Sequence, residues 1–297
     1  MRIVKMGQCK MIDINLRKTE NNENDRNALI EVERKSTPNL QYVPHVFDMF
    51  ASDPRGEFCI AEVDGEVVGC AKFTVTPNET AWVETLRVVP ERQGLGIGKR
   101  LYERFFEIAQ EENISTMRMY TGINNAVSKG LAEHFGFKLE STFLGASRKV
   151  DLSADAHVIE RGESSFELVS DPEKAAKIMM AGNDLWNDFL VMNRTFYRLT
   201  PSLCIDLAQK GLVFEDAESG SGVVLGARFM PQQALHIGQF WGDHEACIRF
   251  ALGRAVTSGI PSVSCLYPDL SSRITDVLGT HQFDPNASKF IVMRVDI

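Results

Sequence analysis

The chain has 297 residues, 44% of them apolar and 24% charged, with a formal net charge of −8 at neutral pH. That length allows two domains of ordinary size with substantial cores, and the composition is that of a folded globular protein. Residues 1–150 balance to −1 and residues 151–297 to −7; neither half has the basic stripe that nucleic-acid binding requires, and no apolar run approaches the ~20 residues of a membrane helix.

In chain order, residues 12–18 read as a strand and 23–35 as a helix with Leu29, Ile30 and Val32 inward. A second short helix is expected over 43–51, then a turn at Asp53-Pro54-Arg55-Gly56. Residues 58–63 and 66–75 flank Asp64-Gly65, a favoured two-residue hairpin turn. Residues 82–89 are β-branched and apolar enough for a largely buried strand, and Pro90 ends it because it has no N–H for the ladder.

Next come Gln93, Gly94, Leu95, Gly96, Ile97 and Gly98, and then Leu101, Phe105 and Ile108 at helical spacing. Glycines at alternate positions let a ligand approach the backbone and permit the positive φ of a tight turn. The turn leaves main-chain N–H groups at a helix start, where the dipole favours an anion. Lys99 and Arg100 lie in the first turn while Glu111 and Glu112 lie near the last, the reverse of what the dipole prefers. A phosphate bound at the turn would make the two cations favourable. A dinucleotide fingerprint does not fit, because the third glycine comes one place early, nor does a Walker A loop, because Lys99 is followed by Arg100.

This run, LRVVPERQGLGIG, resembles the acetyl-coenzyme A loop of the GNAT superfamily of N-acetyltransferases, whose Gln-x-x-Gly-x-Gly signature is met by Gln93, Gly96 and Gly98. The resemblance extends over about 12–150 and includes Phe135-Gly136-Phe137, similar to the closing Gly-Phe of many members. A fifth strand over 116–120, a helix over 124–135 and a final strand over 138–150 complete the order βααβββαβαβ. The resemblance implies an α+β fold, a mixed and mostly antiparallel central sheet flanked by helices.

Residues 151–164 are polar and lack periodicity, so they are the expected linker between a catalytic domain, 1–150, and a second domain, 165–297. The same order returns beyond it: a strand at 166–169, helical stretches from 172 to about 192 and from 201 to 210, and strands at 212–214, 222–229 and 235–240. A helix at 245–257, a strand at 262–267, a helix at 270–278 and a strand at 290–295 follow, with Phe283 as the counterpart of Phe137. Where the first half has its glycine turn, the second has Trp241-Gly242-Asp243-His244-Glu245, a poor cradle for a pyrophosphate. The second half is therefore expected to be a degenerate GNAT-like repeat without its own cofactor site.

The resemblance implies that the backbone of Leu86, Arg87 and Val88 pairs with the pantetheine arm. It also implies that Gln93, Gly94, Leu95, Gly96, Ile97, Gly98 and Lys99 hold the pyrophosphate, with Asn125 contributing on the cofactor side. Glu84 is the expected general base: it is the only acid in the apolar run 81–89, and partial desolvation there tends to raise a carboxylate's pKa. For the general acid the sequence departs from the family, because Ala132 stands where many members have tyrosine. Tyr120 and His134 are the substitutes, and Tyr120 is taken forward.

Six cysteines, Cys9, Cys59, Cys70, Cys204, Cys247 and Cys265, show no paired spacing and no metal motif, and buried free thiols are expected. The function expected is an acetyl-coenzyme A dependent N-acetyltransferase acting on a small-molecule or peptide amine, cytoplasmic, with no metal, nucleic acid or membrane partner. Homodimerisation is one role open to the second domain. The layout also resembles the histidine N-acetyltransferase group in domain order. The alternative is an acyl-coenzyme A binding sensor without transfer activity.

Overall fold

The computed structural model describes residues 12–151 and 165–297, so all of the expected linker but Asp151 lies outside the described residues. They form two compact units. One holds the described residues up to Thr74 together with Val83–Asn113, and the other holds Val75–Trp82 with Ile114–Ile297.

In the first unit β1 (Asn15–Lys18) pairs antiparallel with β2 (Glu57–Val63), and β2 with β3 (Glu66–Val75). Asp64 and Gly65, at φ 55° and 79°, make the primed turn that the dipeptide predicts. Helix α1 (Glu23–Ser36) is capped by the Asn22 side chain, which accepts from the Asp25 N–H, and carries acids in its first turn and bases in its last. Helix α2 (Val43–Ala51) buries Val46, Phe47 and Phe50, and the two phenylalanines meet Phe58 edge-on at 6.5 and 5.4 Å. After β4 (Ala81–Val88), helix α3 (Ile97–Glu111) buries Ile97, Leu101, Tyr102, Phe105 and Ile108, the face its periodicity predicts.

The second unit contains β5 (Thr116–Gly122), α4 (Ala126–His134), β6 (Lys138–Lys149) and β7 (Phe166–Leu168). It continues with α5 (Pro172–Ala181), β8 (Phe189–Met192), β9 (Thr195–Arg198), α6 (Pro201–Gln209) and β10 (Val213–Asp216). Then come β11 (Ser221–Gly226), β12 (Leu235–Trp241), α7 (His244–Thr257), β13 (Ser262–Pro268), α8 (Ser272–Thr280) and β14 (Asp284–Asp296). Its strands run β5-β14-β6-β13-β12-β11-β10-β7. The start of β4 is parallel to β5 through Ala81↔Met117 and Trp82↔Arg118, β12 is parallel to β13, and the other pairs are antiparallel. This is the mixed, mostly antiparallel sheet expected, and the first half's order of elements does return in the second.

Two findings depart from expectation. The last strands are exchanged between the halves: β14 lies between β5 and β6, while β6 lies between β14 and β13. The compact units consequently do not divide at 151–164, because the strand expected to close the first half is flanked by strands of the second. The other departure is at 172–192, where the expected helix stops at Ala181 and Phe189–Met192 is a strand paired with β9. Asn193 and Arg194, at φ 47° and 61°, form a primed two-residue turn without the usual glycine. Phe189, Val191 and Phe196 of this hairpin pack with Trp82, Phe143, Phe290 and Val292 in one buried cluster, and that burial overrides the helical reading.

Candidate functional site

Strand β4 ends at Val88, and the chain passes through a 3₁₀ turn, Pro90–Arg92, into the glycine run. The Gln93 side chain turns back and donates to the Val88 carbonyl at 3.0 Å. Gly94 and Gly96 lie at φ 77° and 88°, a region other residues avoid, and a Cβ built on either would find only open space within 4 Å. Gly96 is the N-cap of α3 and supplies no side chain to the first N–H groups; no acid stands in that first turn. The helix start thus presents donors and a positive dipole end to open space.

The reversed charges on α3 resolve unequally. Near its C-terminus Glu111 accepts from Arg104 at 2.8 Å, and Glu112 pairs with Arg55 at 3.2 Å. At the N-terminus Arg100 pairs with Glu103 at 2.6 Å, whereas Lys99 is exposed and has no ion-pair partner among the described residues. The acids at the unfavourable end are compensated by arginines; the Lys99 cation waits beside an uncapped turn. Helix and strand are drawn together at Gly69, where a Cβ would fall 2.8 Å from the Arg87 carbonyl and 3.3 Å from Ile97 Cγ2.

Within β4, Thr85 sits at φ 59°, an outlier for a β-branched residue. Strain of this kind costs about 1–3 kcal/mol and persists only where neighbours over-determine it. Here the neighbours are identifiable: the Tyr42 hydroxyl meets Thr85 Oγ1 at 2.9 Å, and Cys70 Sγ donates to the Thr85 carbonyl at 3.6 Å. The left-handed residue breaks the strand's alternation between Glu84 and Leu86. Glu84 is half-buried, and its Oε1 accepts from the Thr74 hydroxyl at 3.0 Å. Leu86, Arg87 and Val88 are likewise half-buried, and the Arg87 guanidinium lies 5.7 Å from the Tyr42 ring centroid.

Glu33, which no motif in the sequence marks, is only 1% exposed. Its Oε2 accepts from the backbone N–H groups of Tyr42 and Val43 at 3.0 and 2.9 Å, while Oε1 is buried without a partner among the described residues. Burial pushes its pKa up, opposed by the bonds from those amides and by the Arg87 charge. Glu33 thereby fixes the turn that delivers Tyr42 to Thr85. Only its position on the inward side of α1, next to Val32, could have signalled this.

Tyr120 and Asn125 belong to the second unit. The Tyr120 ring stacks on Trp82, with centroids 5.9 Å apart and planes at 5°, and meets Phe196 and Phe290 at 5.5 and 5.9 Å. Asn125 is the N-cap of α4, its Oδ1 accepting from the Ser128 N–H at 3.1 Å. Ala132, at the position of the family's tyrosine, is fully buried.

In the second half the turn between β12 and α7 is closed. A Cβ on Gly242, at φ 78°, would fall 2.5 Å from Ser221 Oγ, and Asp243 caps α7 by accepting from the Ala246 N–H at 3.0 Å. An anion would meet that carboxylate where the first half offers bare donors.

Residues 26–137 match the model of the acetyltransferase (GNAT) family. This region is similar to a GNAT acetyltransferase domain. A curated relative, an IAA acetyltransferase from Azospirillum brasilense, is 30% identical over 95 residues, which are 31% of this chain and 62% of that protein. Among solved structures, a GCN5-related N-acetyltransferase from Sphaerobacter thermophilus superimposes with a TM-score of 0.65 at 12% identity, covering 95% of each chain. A tandem GNAT protein from the clavulanic acid biosynthesis pathway gives 0.61 at 13% identity, covering 96% of this chain and 98% of that one. At these identities the likeness is one of fold, and it extends along both halves.

The match to the acetyltransferase family model is confined to residues 26–137, which contain the uncapped turn. Among the described residues no group of three or more His, Cys, Asp or Glu side chains is placed to hold a metal ion, and no helix is long and apolar enough to cross a membrane. Cys59, Cys70, Cys204, Cys247 and Cys265 are buried and free, with burial pushing the thiols of Cys70, Cys204 and Cys247 up to about 12. Cys9 lies outside the described residues.

Proposed function

We propose that the protein transfers an acetyl group from acetyl-coenzyme A to the primary amine of a small molecule or peptide, by direct attack within a ternary complex. The observation that carries this reading is the open, uncapped start of α3, with Gly94 and Gly96 at positive φ and Lys99 exposed beside them. The co-substrate supplies an acetyl group already activated as a thioester. The backbone N–H groups of the run from Gln93 to Lys99 bind its pyrophosphate, and Leu86, Arg87 and Val88 pair with the pantetheine arm as an added strand would. Asn125, expected on the cofactor side, belongs to the second unit, where its Oδ1 caps α4.

Glu84 accepts the proton that the acceptor ammonium must lose before it attacks, and the Thr74 hydroxyl holds the carboxylate in place. The Tyr42 hydroxyl at Thr85 is the candidate proton donor to the departing thiolate, while Tyr120, the donor expected from the sequence, belongs to the second unit, stacked on Trp82. The second half serves as a scaffold without a pyrophosphate site of its own, a reading supported by the Asp243 cap and the filled Gly242 turn.

Calorimetric titration with acetyl-coenzyme A, comparing wild type with Gly96→Asp, tests the reading. Aspartate tolerates the left-handed conformation better than most residues and brings a carboxylate to the cradle. One site per chain is expected, weakened about a hundredfold or more in the variant. Two sites per chain would overturn the scaffold role of the second half, and a wild type that does not bind would overturn the assignment of the co-substrate.

A further inference from the structure

A cavity of about 470 Å³ opens in the second unit, lined by none of the residues assigned above to acetyl transfer, and its volume is in the range of small-molecule sites. Trp241, 9% exposed, is among the residues that line it. The indole lies directly on two glycines from different elements: a Cβ on Gly222 would fall 2.1 Å from Trp241 Cζ2, and one on Gly182 would fall 2.4 Å from Trp241 Cγ. No larger residue could stand at either position without displacing the ring.

The strand register places an acid in line with this ring. Glu215 of β10 is opposite Gly222 of β11, which is opposite Trp241 of β12, so all three share one face of the sheet. Glu215 is 9% exposed and forms an ion pair with Lys174 through Oε2; its Oε1 has no partner among the described residues. Asp184 adds a second carboxylate at the exposed lip.

The opposite charge comes from the starts of two helices. Arg273 stands in the first turn of α8, where the dipole disfavours a cation. That helix has no side-chain cap, and the hydroxyl of Ser271, its N-cap residue, is buried without a partner among the described residues. His244, in the first turn of α7, also lines the cavity. Its pKa is lowered by burial first and by Arg273 second, with the Asp243 carboxylate opposing, so near neutral pH Arg273 is the cation at this end. An anion bound there would satisfy a misplaced arginine beside an uncapped helix.

We propose that this cavity binds a free α-amino acid with an apolar or aromatic side chain. Its carboxylate pairs with the Arg273 guanidinium at the open start of α8, where a planar fork of donors matches two oxygens. Its ammonium meets Glu215 Oε1 and Asp184, and its side chain lies on the Trp241 face. Carboxylate, ammonium and apolar body are each required, because each meets a separate part of the wall. The inference concerns the second unit alone and holds whether or not the first unit uses acetyl-coenzyme A.

Calorimetry on the full chain tests it with L-phenylalanine, with phenethylamine, which lacks the carboxylate, and with 3-phenylpropionate, which lacks the ammonium. L-phenylalanine is expected to bind at one site per chain, and each analogue about tenfold or more weakly. Arg273→Gln is expected to weaken L-phenylalanine about tenfold and leave phenethylamine unchanged, while Gly96→Asp leaves L-phenylalanine binding at the wild-type level. A thermal melt shows that each variant is folded. The proposal is overturned if neither L-phenylalanine nor L-leucine binds the folded wild type, if phenethylamine binds as tightly as L-phenylalanine, or if Arg273→Gln does not weaken the amino acid.

Discussion

Thr85 concentrates the cost of building this site into one backbone angle. A β-branched residue at φ 59° is held by a hydroxyl–hydroxyl bond from Tyr42 and a thiol bond from Cys70, and Tyr42 is itself positioned by the buried Glu33 carboxylate. The chain Glu33–Tyr42–Thr85 ends beside Glu84, so the residue expected to move the proton stands next to the one that carries the strain. Glu84→Gln should lower kcat by about a hundredfold or more at neutral pH and recover toward wild type as the pH rises and the free amine becomes abundant. A kcat profile that keeps the wild-type shape and height would remove Glu84 from the role of base. The place of Glu84 within β4 was legible in the sequence because it interrupts an apolar strand. Thr85 was not, since threonine is among the last residues one would assign to the left-handed region, and Glu33 reads as an ordinary helix glutamate until the turn it caps is in place.

At the scale of elements, α3 and α7 occupy the same place in the two halves and differ in how their first turns are satisfied. Helix α3 begins at a bare glycine with open space before it; α7 begins at Asp243, with Gly242 packed on Ser221. The glycine spacing and the acid at 243 are sequence features, and both predicted the difference. Asp243→Ala should cost about 1 kcal/mol in urea unfolding, the usual worth of a side-chain cap, without creating acetyl-coenzyme A binding. Appearance of a second calorimetric site in that variant would mean that the carboxylate alone keeps the second half silent. The hairpin β8–β9 is where element reading failed. Phe189–Met192 has no helix stop before it stronger than Gly182, its turn lacks glycine, and its phenylalanines become strand residues only because an aromatic cluster on the sheet receives them.

For the molecule as a whole, the exchange of β6 and β14 determines what can fold alone. Strand β14 carries Phe290, Ile291, Val292 and Met293, all buried, and pairs along its length with β5 and β6. Burial of each such side chain contributes about 1.5–3 kcal/mol, so together they rival the total stability of an ordinary domain. Removing 284–297 should therefore abolish cooperative unfolding and expose two strand edges that promote aggregation. A truncated chain that stays monomeric and unfolds with the midpoint of the full chain would refute this. The sequence by itself determined the element order outside the β8–β9 hairpin, its repetition, the GNAT resemblance and the glycine turn, because periodicity and turn residues are local properties. Only the tertiary structure decided which strand closes which half, why Thr85 tolerates its angle, and how Glu215, Trp241 and Arg273 come to line one cavity. Those outcomes depend on pairing and burial between residues far apart in the chain, and no short window of sequence contains both partners.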